Sequence, residues 1–224
     1  MTPELFNYQS SLRDRAYSCE RQDEFIYHLL AKHLEKPGTF LDIACGHPKN
    51  CSNTYVLEQS CGWSGLGFDI GDIEADCQWS EHRSSMFYKY DVTSSRFCDF
   101  LSAFPNDFLS NIDYVSLDVD CGGENYSAQA LDKILQAGVK FKAMTLEHES
   151  FAHGDTVTLP SRTLLHAQGY AMLFEDVCFQ NGEAWEDWWI NPDLIPIENI
   201  MSIQSKGKSF NNCVEAVISL TGNK

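Results

Sequence analysis

None of the nine cysteines stands in a C-x-x-C spacing, and their count is odd. That pattern speaks against a structural zinc site and against a secreted disulfide framework, so the expected state is reduced thiols in a cytoplasmic protein. Cations are scarce: 16 Lys and Arg stand against 32 Asp and Glu, for a formal net charge of -16. The few Lys and Arg are scattered, and an acidic surface repels phosphate backbones and anionic lipid, which argues against nucleic acid or a membrane surface as partner. No apolar run is long enough to span a bilayer, and Met1 to Leu5 lack the basic start and apolar stretch of a signal peptide. Repeats and low-complexity tracts are absent. So is the G-x-G-x-x-G fingerprint that a dinucleotide pyrophosphate requires.

What is present suits one α/β domain over residues 1–224, 43% apolar, with a helical lead-in over about 1–36. The pattern predicts helices over 23–34, 54–59, 96–109 with a break at Pro105, 127–136 and 159–168. It predicts strands over 39–44, 65–70, 86–92, 112–120, 141–146, 170–179 and 213–220, the last two as an antiparallel pair. The stretch 181–205 reads as a long aromatic loop. Its Trp185-Glu186-Asp187-Trp188-Trp189 either walls an acceptor pocket, as the region 180–205 would in an enzyme, or packs onto the core.

The order of strand, Gly-containing turn, helix, strand and acid is the layout that holds an adenine nucleoside in open α/β sheets. Asp42-Ile43-Ala44-Cys45-Gly46, Asn53 in the Ser52-Asn53 cap, and Asp69-Ile70 fit it, with Asp69 placed to accept hydrogen bonds from ribose hydroxyls. Asp91-Val92 and Asp118 end the next two strands at the same edge. Asp91 could accept from an adenine amino group or cap the segment after it, and Asp42 could be a turn former only. A nucleoside without phosphates tolerates the missing glycines, which points to S-adenosylmethionine rather than NAD.

Together these residues resemble the FkbM-type methyltransferase family. The resemblance runs through Asp42-Ile43-Ala44-Cys45-Gly46-His47-Pro48, Ser52-Asn53-Thr54 and Gly62-Trp63-Ser64-Gly65, with Gln22-Asp23 ahead and Ile112 to Asp120, Glu147-His148, Gly154-Asp155, Gly169-Tyr170 and Glu186-Asp187-Trp188-Trp189 behind. It covers roughly residues 17–195. Ala44 stands where the family usually has glycine, and Cys121-Gly122-Gly123 is longer than its usual turn. The resemblance implies a Rossmann-like class I methyltransferase, with a mostly parallel twisted sheet and an antiparallel C-terminal strand. It also implies methyl transfer to hydroxyls of sugars or secondary metabolites.

For a hydroxyl acceptor the site needs a base or a metal ion. His148, after the fifth strand, is the expected base, with Glu147 and Asp118 beside it; the bland alternative is a solvated surface histidine. Asp118, Asp120, Glu147 and His148 could instead hold magnesium, which is the lesser reading. Two rivals remain: a NAD-dependent oxidoreductase, and a non-catalytic nucleoside-binding domain on the same fold.

Overall fold

The computed structural model describes residues 17–119, 122–195 and 197–222. In chain order, α1 (Gln22–Leu29) leads through a 3-10 turn, Ala31–His33, into β1 (Thr39–Ile43). Then come α2 (Tyr55–Cys61), β2 (Ser64–Asp69), α3 (Ile73–Cys77), α4 (Trp79–His82) and β3 (Met86–Lys89). They are followed by α5 (Phe97–Leu101), α6 (Asn106–Leu109), β4 (Ile112–Leu117), α7 (Tyr126–Gln136) and β5 (Phe141–Glu147). The last third holds α8 (Ser150–His153), α9 (Asp155–Ala167), β6 (Ala171–Cys178), β7 (Ala184–Ile190), β8 (Ser205–Lys206) and α10 (Phe210–Thr221).

The eight strands form one sheet in the order β3-β2-β1-β4-β5-β7-β6-β8. β1 to β5 run parallel, while β7 is antiparallel to both β5 and β6. This is the Rossmann-like, mostly parallel arrangement with an antiparallel C-terminal part. The chain reverses its direction across the sheet at β1, and the neighbouring strands β1 and β4 leave a crevice at their carboxyl ends.

Both faces of the sheet are covered, and the period-two alternation of strand side chains assigns each residue to one of them. Leu41 and Ile43 of β1, Val115 and Leu117 of β4, and Met144 and Leu146 of β5 share one apolar cluster with Phe97, Leu131, Ile134 and Leu165 from α5, α7 and α9. Phe40, Tyr114, Ala143, Trp188 and Ile190 point the other way, into a cluster with Phe25, Ile26 and Leu29 of α1, Leu57 of α2 and Phe210, Val214 and Val217 of α10. Trp63 packs in this second cluster.

Three expectations are corrected here. Residues 213–220 are the body of helix α10, not a strand. The buried positions Phe210, Cys213, Val214 and Val217 follow i, i+3, i+4, i+7, and Ser209 Oγ caps the helix by accepting from Asn212 N–H at 3.3 Å. Residues 184–190 are strand β7, not loop, and Trp188 and Trp189 are fully buried. Two acids in a row disguised this strand, because Asp and Glu are poor strand formers until partners inside the fold satisfy them. Finally, Cys19 and Cys51 are joined in a disulfide with Cα atoms 4.7 Å apart, so the chain is not thiol throughout. The short helices α3 and α4 had no strong sequence signal. α4 is held by Trp79, whose indole lies so close over β2 that a side chain at Gly67 would meet it at 2.7 Å.

Candidate active site

A cavity of about 680 Å³ opens at the carboxyl edge of β1, β2, β4 and β5. Its wall includes Ala44, Cys45 and Gly46 after β1, Asp69 and Ile70 at the end of β2, Asp91 and Val92 after β3, Asp118 after β4, and Glu147 at the end of β5. These nine were all expected from the sequence. His47, Asn50, Cys51, Tyr90, Thr93, Val119 and Tyr126 complete it and were not singled out. Proximity in sequence to the expected residues was the only signal available for most of them.

The turn after β1 is shaped for close approach. Ala44 and Gly46 both adopt left-handed backbone, with φ of 58° and 55°. For Ala44 this costs about 1 kcal/mol relative to glycine. The turn is fastened to β2 by Asp69: Oδ2 accepts from Gly46 N–H at 3.0 Å and Oδ1 from Gly71 N–H at 2.7 Å. The next residue, Ile70, leaves an apolar side chain 72% exposed on the cavity wall. Asp91 Oδ1 closes its own turn, accepting from Thr93 N–H at 2.9 Å and Thr93 Oγ1 at 2.7 Å.

Asp42 and Asn53 do not line the cavity. Both are buried behind its wall, because residue 42 of β1 points to the α1 and α2 face. Asp42 Oδ2 accepts from Thr54 Oγ1 at 2.5 Å, and Asn53 Nδ2 donates to Ser116 Oγ at 3.0 Å. Burial pushes the Asp42 carboxyl up to about 6, against the opposing pull of Arg83 and the Thr54 hydrogen bond. Arg83, unremarked in the sequence, organises this layer. Its buried guanidinium pairs with Glu58 at 2.6 Å and donates to Pro48 O at 3.0 Å, Ser52 Oγ at 3.2 Å and Thr54 Oγ1 at 2.8 Å. It also lies 4.7 Å from the Trp79 ring centre. The Ser52-Asn53-Thr54 segment is therefore a set of hydrogen-bond partners that ties the cavity loop to β1 and to Arg83.

Glu147 and His148, adjacent in sequence, part company in space. Glu147 has the parity of Ala143 and Thr145 and reaches the cavity, whereas His148 has the parity of Leu146 and faces α9. The imidazole is buried, so it is not a surface histidine. Nδ1 accepts from Ser150 N–H at 3.1 Å, and Nε2 lies 3.4 Å from Asp187 Oδ1. Arg162 donates to Asp187 from Nε at 2.7 Å and to Asp176 from Nη2 at 2.5 Å. His148, Asp176 and Asp187 form the one group of three metal-type ligands close together among the described residues, and both of its carboxylates are already paired with cations, Asp187 with Arg162 and Asp176 with Arg162 and Lys206. Of the alternative magnesium set, His148 points away from Asp118 and Glu147, and Asp120 lies outside the described residues.

Glu147 instead joins a row of carboxyls across three strands. It is hydrogen-bonded to Asp118, and its cross-strand neighbour on β7 is Glu186. Burial, then the hydrogen bond and repulsion from Asp118, hold the Glu147 carboxyl well above the usual carboxylate range. Glu186 accepts from Gln22 Nε2 at 2.5 Å and Trp188 Nε1 at 2.6 Å, and burial pushes it up to about 8 against the pull of Trp188. The Gln22-Asp23 and Glu186-Trp188 pieces of the sequence thus meet behind the cavity rather than on its wall. Of the aromatic run, Trp185 alone is partly exposed, stacked on Phe151 with ring centres 4.8 Å apart.

No protein-family model and no curated protein matches this chain. Among solved structures, monomeric WbdD superimposes with a TM-score of 0.52 at 16% identity, over 83% of this chain and 45% of that one. The chain therefore spans less than half of WbdD. Human methyltransferase-like protein 13, solved in complex with SAH, superimposes with a TM-score of 0.52 at 15% identity, over 91% of this chain and 92% of that one. At these identities what is shared is the fold, a Rossmann-like α/β sheet. No helix among the described residues is long and apolar enough to cross a membrane.

Proposed function

We propose that this chain is an S-adenosylmethionine-dependent methyltransferase acting on a small-molecule acceptor, with the whole chain forming its methyltransferase domain. The observation that carries the reading is the chemistry of the cavity wall. Asp69, Asp91, Asp118 and Glu147 line it, and no Lys or Arg does among the described residues. A pyrophosphate would find only like charge there, while a cationic sulfonium nucleoside without phosphate is favoured. That supports adenosylmethionine over NAD, and human methyltransferase-like protein 13, of the same fold, was solved with SAH.

In this reading Asp69 accepts from the ribose hydroxyls, since its amide partners use one lone pair on each oxygen. Ile70 and Val92 give apolar walls for the base, and Asp91 stands at its rim. Ala44, Cys45 and Gly46 bring backbone close to the amino-acid portion. Bound adenosylmethionine supplies an electrophilic methyl group. The Asp118–Glu147 pair supplies the proton acceptor: as the acceptor oxygen bonds to the methyl carbon, its proton passes to the ionised member of the pair. Glu147, held well above the usual carboxylate range, carries the pair's own proton, and Asp118 is the ionised member that takes the proton of the acceptor. His148 serves the pair indirectly, by fixing the end of β5 through Ser150 and Asp187. The resemblance to FkbM-type enzymes supports a hydroxyl on a sugar or secondary metabolite as acceptor. The surplus of acidic residues speaks against a nucleic-acid partner.

The test is calorimetry with S-adenosylhomocysteine and NAD, followed by turnover of Asp118→Asn. S-adenosylhomocysteine should bind and NAD should not, and the variant should lose roughly 100-fold in kcat with unchanged nucleoside affinity, the scale of a lost general base. NAD binding without a response to S-adenosylhomocysteine refutes the assignment. Nucleoside binding with undiminished turnover in the variant removes the carboxyl pair from the chemistry.

A further inference from the structure

The Cys19–Cys51 bond joins the nucleoside cavity to the segment that precedes α1. Cys51 is on the cavity wall, at the end of the loop that begins with Ala44. It is held at a φ of 55°, a left-handed conformation that a non-glycine residue keeps only where its surroundings impose it. Cys19 sits in a segment that is itself anchored. Asp23 accepts from Tyr17 N–H at 3.1 Å and from Ser18 Oγ at 2.5 Å. Gln22, three residues after Cys19, reaches Glu186 behind the carboxyl pair. Across the seam, the Tyr17 ring lies 4.6 Å from that of Tyr55, and Lys49 Nζ is 5.4 Å from the Tyr17 ring centre. The segment 17–22 thus spans from the cavity loop to the acid row, and the disulfide cross-links it to the loop.

Both cysteines of the bond are exposed, whereas Cys45, Cys178 and Cys213 are buried thiols. Exposed disulfides are the ones that dithiols reach and exchange with, while buried ones resist. Accessible chemistry and a position on the cavity wall therefore coincide at this one pair.

We propose that Cys19 and Cys51 form a redox latch on the nucleoside cavity. As a disulfide the pair holds the 44–51 loop against segment 17–21 and keeps the cavity in its binding shape. As two thiols it frees both segments, and the nucleoside binds more weakly. The inference rests on the methyltransferase reading only for the identity of that nucleoside. The reductant is a protein or small-molecule dithiol. Its thiolate attacks one sulfur of the bond and forms a mixed disulfide, and the other cysteine leaves as a thiolate that takes up a proton. The second thiol of the dithiol then displaces the remaining cysteine. Two electrons and two protons enter the pair, and the dithiol ends as a disulfide.

The experiment uses the full chain in oxidised and dithiothreitol-reduced forms. Alkylation mass spectrometry first establishes the redox state, the oxidised form taking two fewer labels. Calorimetry with S-adenosylhomocysteine and limited proteolysis follow on wild type and Cys19→Ser. Reduction is expected to weaken binding roughly tenfold, within the usual range of coupling between two sites, and to open cleavage within 17–21 or 44–51. Cys19→Ser should match the reduced form under both conditions. Equal affinity and equal cleavage in the two redox states overturn the latch, as does failure of the pair to oxidise with glutathione disulfide. If neither form binds the nucleoside, it is the methyltransferase reading that fails. Proteolysis then decides the latch alone: redox-dependent cleavage supports it and identical cleavage refutes it.

Discussion

Replacing Asp69 separates the nucleoside reading from a purely structural one. Its carboxylate does two things at once: it fastens the Gly46 turn to the end of β2, and it presents its remaining lone pairs to the cavity. Hydrogen bonds to a charged acceptor contribute about 1.5–3 kcal/mol, so Asp69→Ala should raise the Kd for S-adenosylhomocysteine about 10- to 150-fold. The fold should tolerate the change. Gly46 and Gly71 are only partly buried, so water can take over their amide hydrogen bonds, at a cost below about 1 kcal/mol. Asp69→Asn should bind almost as poorly, because an amide offers one acceptor oxygen where two backbone donors and a diol converge. Asp91→Ala should lose less, since Asp91 stands at the rim of the base and would meet one amino group there rather than a diol. The assay is calorimetric titration paired with a thermal melt. Unchanged affinity in a folded Asp69→Ala protein, or a larger loss at Asp91 than at Asp69, would show that the ribose is not held at the end of β2.

Two further outcomes concern the layer beneath the cavity. Arg83→Met removes the cation from a buried pair and leaves Glu58 uncompensated, which should cost about 3–5 kcal/mol in urea unfolding; a loss under about 1 kcal/mol would contradict the central place given to Arg83. Asp42 has a folded-state pKa raised from 3.8 to about 6, so its stabilising contribution is complete below about pH 4 and is lost as pH rises through about 6. The swing is on the order of 3 kcal/mol. Asp42→Asn can still accept from Thr54, and its stability relative to wild type should climb between pH 4 and 7. Parallel stability curves for the two proteins over that range would refute the buried-carboxyl argument, and contributions such as that of Glu186 cancel in the difference.

The local pattern determined a good deal by itself. Apolar periodicity and the acids at strand ends located β1 to β5 and placed Asp69, Ile70, Asp91, Val92, Asp118 and Glu147 at one edge of one sheet. Parallel strands fed by helices must all present their carboxyl ends on the same side, so chain order alone brings those residues together. Tertiary structure decided what alternation and composition leave ambiguous. Residues 213–220 are rich in β-branched and apolar types, and only packing on α1 selects the helix. The acids at 186 and 187 are tolerable in a strand only because Gln22, Arg162 and His148 from distant parts of the chain, and Trp188 on the same strand, surround them. Which of Glu147 and His148 enters the cavity depends on which face of β5 meets α9. Whether Cys19 and Cys51 bond depends on two loops coming within reach of one another. Each of these outcomes is a relation between segments far apart in sequence, set by pairing and burial energies that no single segment carries.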